Sequence, residues 1–225
     1  MAMKLSDNTI NVLKNYSTIN ESIVFEEGNR LRTVAKNKSI LAETVIEETI
    51  PRRFAIYNLN QFIGAMQMFD RADLEFEEKL VKMKFSGTTI NYTCADESLV
   101  VKPPEKDINF PDAEVKFVMS SENIERIRKA SATLSLPEVV FKGEEGAEFV
   151  ACVMDVNNTS SSVMEVPLGT NSTVKCSMVY KVEALKLITT DYNVAISSKG
   201  VGSFISGSDK YKYFIATEAS STFGS

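Results

Sequence analysis

"SSENIERIRKASATL", residues Ser120 to Leu134, decides the fold because the chain contains its construction twice. Opening serines supply a side-chain oxygen for first-turn N–H groups, with Ser121 the expected cap. Ile124, Ile127 and Ser131 then fall in line at helical spacing, so the stretch reads as a short amphipathic helix. In "LSDNTINVLKNYSTI", residues 5–19, Ser6, Ile10 and Leu13 anticipate Ser120, Ile124 and Ile127 at a constant offset of 114. A second pair follows the same logic. Tyr57, Leu59 and Phe62, around "NLNQFIGAMQMF", anticipate Tyr180, Val182 and Leu185 of "YKVEALKLITT" at an offset of 123. A pattern of helices repeated in order, with strands after each, implies two similar domains.

The runs between these helices alternate or are rich in β-branched and aromatic residues: "ESIVFEE", "SILAETVIEETI", "LVKMKFSG", "AEFVACVMDV" and "KYKYFIATEA" are examples. Gly, Asn, Asp and Ser clusters divide them as hairpin turns do. The expected class is therefore α+β, with each domain an antiparallel sheet plus two short helices. Between the repeats lies "VVKPPEKDINFPDAE", Val100 to Glu114, where prolines and charges break any periodicity. It places the boundary between domains 1–106 and 107–225. A connector of this length bearing Val101, Ile108 and Phe110 is a candidate surface for partners.

Composition removes several functions. The chain has no histidine, and with it goes the commonest general base, the commonest metal ligand and the middle member of a Ser-His-Asp triad. No GxxxxGK[ST] loop occurs, and "KGVGSF", Lys199 to Phe204, lacks the glycine spacing of a dinucleotide site. It reads instead as a strand with close backbone approach. Cys94, Cys152 and Cys176 are widely spaced, without a CxxC pair, and read as small hydrophobes. The acidic run "DRADLEFEEKL", Asp70 to Leu80, lacks the convergent spacing of a calcium loop and reads as a solvated outer face. No enzyme, metal site or cofactor is expected. No apolar run reaches the roughly 20 residues of a membrane span, and the polar opening "MAMKLSDNTI" does not read as a signal peptide, so a cytoplasmic protein is expected.

Against a formal net charge of −5, the helix at 120–134 gathers Arg126, Arg128 and Lys129. With Ile124 and Ile127 on the buried face, a 100° advance per residue turns Arg126 and Lys129 to the opposite side and Arg128 to the flank. Glu122 and Glu125 stand at i, i+4 spacing from Arg126 and Lys129 and can pair with them.

"MKLS" at 3–6, "LKNYSTIN" at 13–20, "AIYNLNQFIG" at 55–64, "INFP" at 108–111 and the tail "FIATEASST" at 214–222 together resemble the DNA polymerase sliding clamps of T-even-like bacteriophages. The resemblance runs in register from Met3 onward and leaves Met1 and Ala2 ahead of the family's usual start. It implies a DNA clamp fold closing into a ring, a homotrimer with helices lining a hole around duplex DNA. It further implies sequence-independent DNA contact, the phage DNA polymerase and a clamp loader ATPase as partners, and late-transcription sigma and coactivator proteins as further ones. The work would be done in the cytoplasm of the infected bacterial host. On this reading the hole is lined by Arg126, Arg128 and Lys129, by Lys181 and Lys186 on the fourth helix, and by Lys14 and Lys4. The second helix would contribute Gln and Asn, having no basic residue. A pocket for partner peptides would involve Val101, Pro104, Ile108 and Phe110. From the residues alone, a β-rich phage structural or adaptor protein that binds only other proteins stands as the alternative.

Overall fold

The computed structural model describes residues 3–68 and 72–224. The chain separates into two compact units, Met1–Glu105 and Lys106–Ser225. In the first unit the order is α1 (Asp7–Ile19), β1 (Ile23–Phe25), β2 (Gly28–Val34), β3 (Ile40–Ile50), β4 (Phe54–Ile56), α2 (Leu59–Gln67), β5 (Asp73–Phe76), β6 (Leu80–Phe85) and β7 (Thr88–Thr93). β1 pairs with β4, β2 with β3, and β6 with both β5 and β7, all antiparallel. The two-residue turn joining β6 to β7 shows how sequence sets register. Ser86 and Gly87 both take positive φ, 24° and 86°, while Phe85 pairs with Thr88. A right-twisted hairpin wants that geometry, and a Ser-Gly pair supplies it at small steric cost.

α1 forms because Ser6, in extended backbone, accepts the N–H of Thr9 at 3.2 Å. Its inner face buries Ile10, Leu13, Tyr16 and Ile19. Burial pushes the Glu48 carboxyl up, but hydrogen bonds from Thr9 and Ser6 outweigh that and hold it below the ordinary carboxylate range. The Thr9 hydroxyl donates to Glu48 Oε2 at 2.6 Å, and the Ser6 N–H donates to Oε1. α2 is capped by Asn58, whose side chain accepts the N–H of Gln61 at 2.9 Å. The core beneath is aromatic: Phe25 stacks on Phe54 at 4.6 Å, and Phe62 meets the edge of Tyr92 at 5.1 Å.

The second unit runs β8 (Val115–Met119), α3 (Ser121–Leu134), β9 (Glu138–Gly143), β10 (Glu148–Met154), β11 (Met164–Asn171), β12 (Cys176–Lys181), β13 (Tyr192–Ser197), β14 (Val201–Ser206), β15 (Tyr211–Ala216) and β16 (Thr222–Phe223). Its sheets follow the orders β11-β10-β9-β12-β16 and β15-β14-β13-β8. A separate aromatic chain fills it: Phe117 lies 5.0 Å from Phe141, Phe141 5.7 Å from Tyr180, and Tyr180 5.8 Å from Phe204. "KGVGSF" forms the start of β14, and the close approach is real. A Cβ on Gly202 would collide with the Tyr180 hydroxyl. Cys152 and Cys176 are buried, which pushes both thiols up, and Cys94 is half-buried.

The fourth helix expected at 180–190 does not form. Tyr180 and Lys181 complete β12, and only a single 3-10 turn, Val182–Ala184, follows. At the position equivalent to Asn58 stands Lys181, which has no acceptor and makes no side-chain cap. Beyond the turn Leu185 and Leu187 are both buried, the period-2 pattern of an extended segment. β16 begins at the last residue of the tail motif and extends one residue past it. It adds to the free edge of β12 through two residue pairs, Cys176–Phe223 and Ser177–Thr222.

Candidate nucleic-acid interface

α3 starts one residue earlier than its sequence suggested. Ser120, not Ser121, is the N-cap and accepts the Asn123 N–H at 3.1 Å, while the Ser121 N–H donates to Asp191 Oδ1 at 2.7 Å. Ser135 in left-handed conformation ends the helix, with its N–H returned to the Ser131 carbonyl. Ile124, Ile127 and Ala130 form the buried stripe. Glu122, Glu125, Arg126 and Lys129 are exposed on the other side. Arg126 pairs with Glu122 one turn back. Lys129 has no ion-pair partner among the described residues, so it is the cation of this face most available to an external anion.

Arg128 behaves differently from its neighbours. Its guanidinium donates from Nη2 to the carbonyls of Leu185 at 3.0 Å and Leu187 at 2.6 Å, and from Nη1 to the Thr189 hydroxyl at 3.1 Å. Burial lowers its affinity for a proton, and those acceptors replace lost water. Three of its N–H donors are engaged by the chain itself, which leaves Arg128 less available to phosphate than Lys129.

Lys181, expected on the fourth helix, lies on a strand instead. It lies on β12 opposite Glu138 of β9, a carboxylate only 1% exposed, and the two form an ion pair. The hydrogen bond that the ammonium donates to Glu138 raises its pKa. Lys186 belongs to the extended segment after the 3-10 turn rather than to a helix, between the two buried leucines. In the first unit Lys14 is exposed on α1, and Lys4 is exposed with its ammonium 3.8 Å from Asp73. α2 carries no basic residue. Asp70 and Arg71 of the acidic run lie outside the described residues. Its remainder is β5 and the following turn, where Glu75 and Glu77 pair with Lys84 and Lys82.

The connector residues are held individually. Val101 is 37% exposed, and its carbonyl accepts from Asn20 Nδ2 at 3.4 Å. The Pro104 carbonyl accepts from Arg32 Nη1 at 2.7 Å. Pro103 and Pro104 wall a cleft of about 560 Å³ whose other sides include Arg30, Arg53 and Glu26. That setting is charged rather than the apolar pocket expected around Pro104. Ile108 is half-buried, and Phe110 packs its ring 6.0 Å from Phe214 on β15. A groove of about 430 Å³ that sequence reasoning missed lies in the second unit, lined by Lys116, Val118, Asn193, Ala195 and Ile205. Its signal was available in the strand alternation, which leaves Val118 half exposed.

Among the described residues no helix is long and apolar enough to cross a membrane, and no cluster of His, Cys, Asp or Glu is arranged to hold a metal ion.

Comparison with known proteins covers nearly the whole chain. Residues 4–101 match the DNA polymerase processivity factor family, and residues 116–219 match the family described as gp45 sliding clamp, C terminal. The sliding clamp of Vibrio phage KVP40 is 34% identical over 96% of this chain and 100% of its own. That of Enterobacteria phage T4 is 28% identical over 98% of this chain and 99% of its own. Among solved structures, A. fulgidus PCNA, bound there to the C-terminal region of FEN-1, aligns with a TM-score of 0.71 at 16% identity. It covers 99% of this chain and 100% of that one, a likeness of fold.

Proposed function

The chain belongs to the sliding-clamp family of DNA polymerase processivity factors, and we propose that three copies join head to tail into a ring that encircles duplex DNA. The ring tethers the phage DNA polymerase during replication. A homotrimer has a mass of about 75 kDa, three times the 25.0 kDa chain. Subunits meet through edge strands, which an isolated protomer would otherwise leave open to aggregation. A clamp loader ATPase places the ring on DNA, and late-transcription proteins use the same platform, in the cytoplasm of the infected host. The protein is a topological tether and no enzyme.

One observation carries the DNA-facing assignment: the exposed side of α3 holds Arg126 and Lys129 in a chain of net charge −5. Lysine and arginine meet phosphates without reading base edges, which suits a protein that moves over any sequence. Lys14 and Lys4 of the first unit are assigned to the same lining, with α2 contributing uncharged polar groups. Arg126 is partly neutralised by Glu122, so the field is moderate. A weak field is compatible with sliding, because closure of the ring and not affinity keeps it on DNA. Partner peptides are taken up at the connector around Val101, Pro104, Ile108 and Phe110. Support for this is that Val101 and Pro104 are exposed and that Phe110 keeps part of its ring accessible.

The test is topological. Protein loaded on a nicked circular plasmid is retained, and escapes when the circle is cut. Equal retention on circular and linear DNA defeats encirclement.

A further inference from the structure

Val182, Leu185 and Ile188 carry the helical spacing of α2, yet the segment they belong to is extended after one 3-10 turn. Local sequence explains half of this. Lys181 cannot cap, so a helix begun here would leave a first-turn N–H without its side-chain acceptor. The other half comes from α3. An α-helix through this segment would use the Leu185 carbonyl to accept the N–H of residue 189. Arg128 takes that carbonyl, takes the Leu187 carbonyl as well, and fixes Thr189 through its hydroxyl. Ile188 between them is tied at both backbone groups: the Tyr192 hydroxyl donates to its carbonyl at 2.7 Å, and its N–H donates to the Tyr213 hydroxyl at 3.3 Å. One guanidinium therefore staples Leu185, Leu187 and Thr189 to the flank of the helix that bears Arg126 and Lys129. Lys186 sits inside that staple. Its neighbours Leu185 and Leu187 are buried, so its side chain is turned away from theirs and out of the core.

We propose that Arg128 is a positioning residue of the DNA-facing surface: it holds the Leu185–Thr189 strap extended against α3 and thereby sets where Lys186 stands relative to the basic side of that helix. The proposal rests on the reading that this side of α3 faces DNA. It assigns Arg128 no phosphate contact of its own.

The experiment uses the full-length trimer with Arg128→Met, Arg128→Lys, Lys186→Gln and the Arg128→Met/Lys186→Gln double variant. Without DNA, hydrogen exchange at Leu187, Ile188 and Thr189 reports the strap. Arg128→Met accelerates it at least tenfold. Arg128→Lys, which keeps the charge but cannot span two carbonyls and a hydroxyl, accelerates it to an intermediate degree. With a short duplex, the salt dependence of binding is read. Arg128→Met and Lys186→Gln each lower the slope of log K against log salt by about 0.9, the effect of one phosphate contact. The double variant lowers it no further, because both changes remove the same lysine from its place. Unchanged exchange in Arg128→Met, or additive loss of slope with rescue by Arg128→Lys, overturns the proposal in favour of a direct phosphate contact. If exchange accelerates but neither these variants nor Arg126→Glu/Lys129→Glu alter duplex binding, the DNA-facing reading of α3 is what fails, and the positioning role falls with it.

Discussion

Lys181 and Glu138 face each other across β12 and β9, and the ammonium compensates a carboxylate that is only 1% exposed. The same carboxylate accepts the Val156 N–H at 3.3 Å, so it fastens β9 both to β12 and to the turn after β10. Lys181→Met should destabilise the second unit by about 2 kcal/mol. Breaking a fully buried pair costs about 3–5 kcal/mol, and solvent access at the lysine reduces it. Urea denaturation measures the loss. The salt slope of duplex binding should not move, since this lysine is committed to the fold.

Arg126 and Lys129 should not weigh equally. Arg126 is engaged by Glu122, whereas Lys129 has no ion-pair partner among the described residues. Lys129→Glu should reduce retention on nicked circles more than Arg126→Glu, and the double reversal should lower the salt slope by about 2. Glu122→Gln should raise retention by releasing Arg126. Mass in solution should stay that of the trimer throughout. A double reversal with wild-type retention would remove α3 from the lining.

Acid should loosen the first unit through Glu48. Its folded value lies below the ordinary 4.5, so its contribution is complete above 4.5 and is lost as pH falls through the lower, folded value. A Glu48→Gln variant should be less stable than the natural protein at pH 7 and should lose less on acidification. Melting temperature followed from pH 6 to pH 3 gives both curves, and parallel curves would show that the carboxylate at the start of α1 contributes nothing pH-dependent.

Gly202 and Tyr180 make a paired test. The Tyr180 hydroxyl is buried without a hydrogen-bond partner and occupies the space a Cβ at 202 would need. Gly202→Ala should cost about 2–3 kcal/mol by forcing the ring out of place. Tyr180→Phe alone should be near neutral or stabilising, because it removes an unsatisfied polar group. The double variant should recover most of the alanine loss. Additive losses in denaturation would mean that contact with the hydroxyl is not the cause.

The strands were legible because alternation and turn chemistry are local: "LVKMKFSG" states its own hairpin, and Ser86 and Gly87 adopt it. The first three helices were legible because each begins with a residue that can cap. What failed was the fourth, and the apolar stripe could not reveal it. Asn58 and Lys181 occupy equivalent places in the repeat, and only one of them can accept an N–H. The rest of the decision was made by Arg128, whose partners lie 57 to 61 residues away. A cation's place on a helical wheel gives its direction and not its company. Hence Arg126 and Lys129 are exposed as their wheel positions imply, while Arg128 and Lys181 are engaged by backbone carbonyls, a hydroxyl and a buried carboxylate that no local pattern announces.

β12 is held unequally along its two sides, by six residue pairs with β9 and by two with β16. The Val179 N–H rests on the Ser221 hydroxyl at 2.9 Å. Such an arrangement peels from one side, since few bonds must break to lift the tail and many to part the inner ladder. Under mechanical load or mild denaturant, Thr222 and Phe223 should let go well before the body of the domain yields. The second unit therefore has a soft hem on a firm cloth: a margin that can open and reseal on its own while the aromatic interior from Phe117 to Phe204 remains closed.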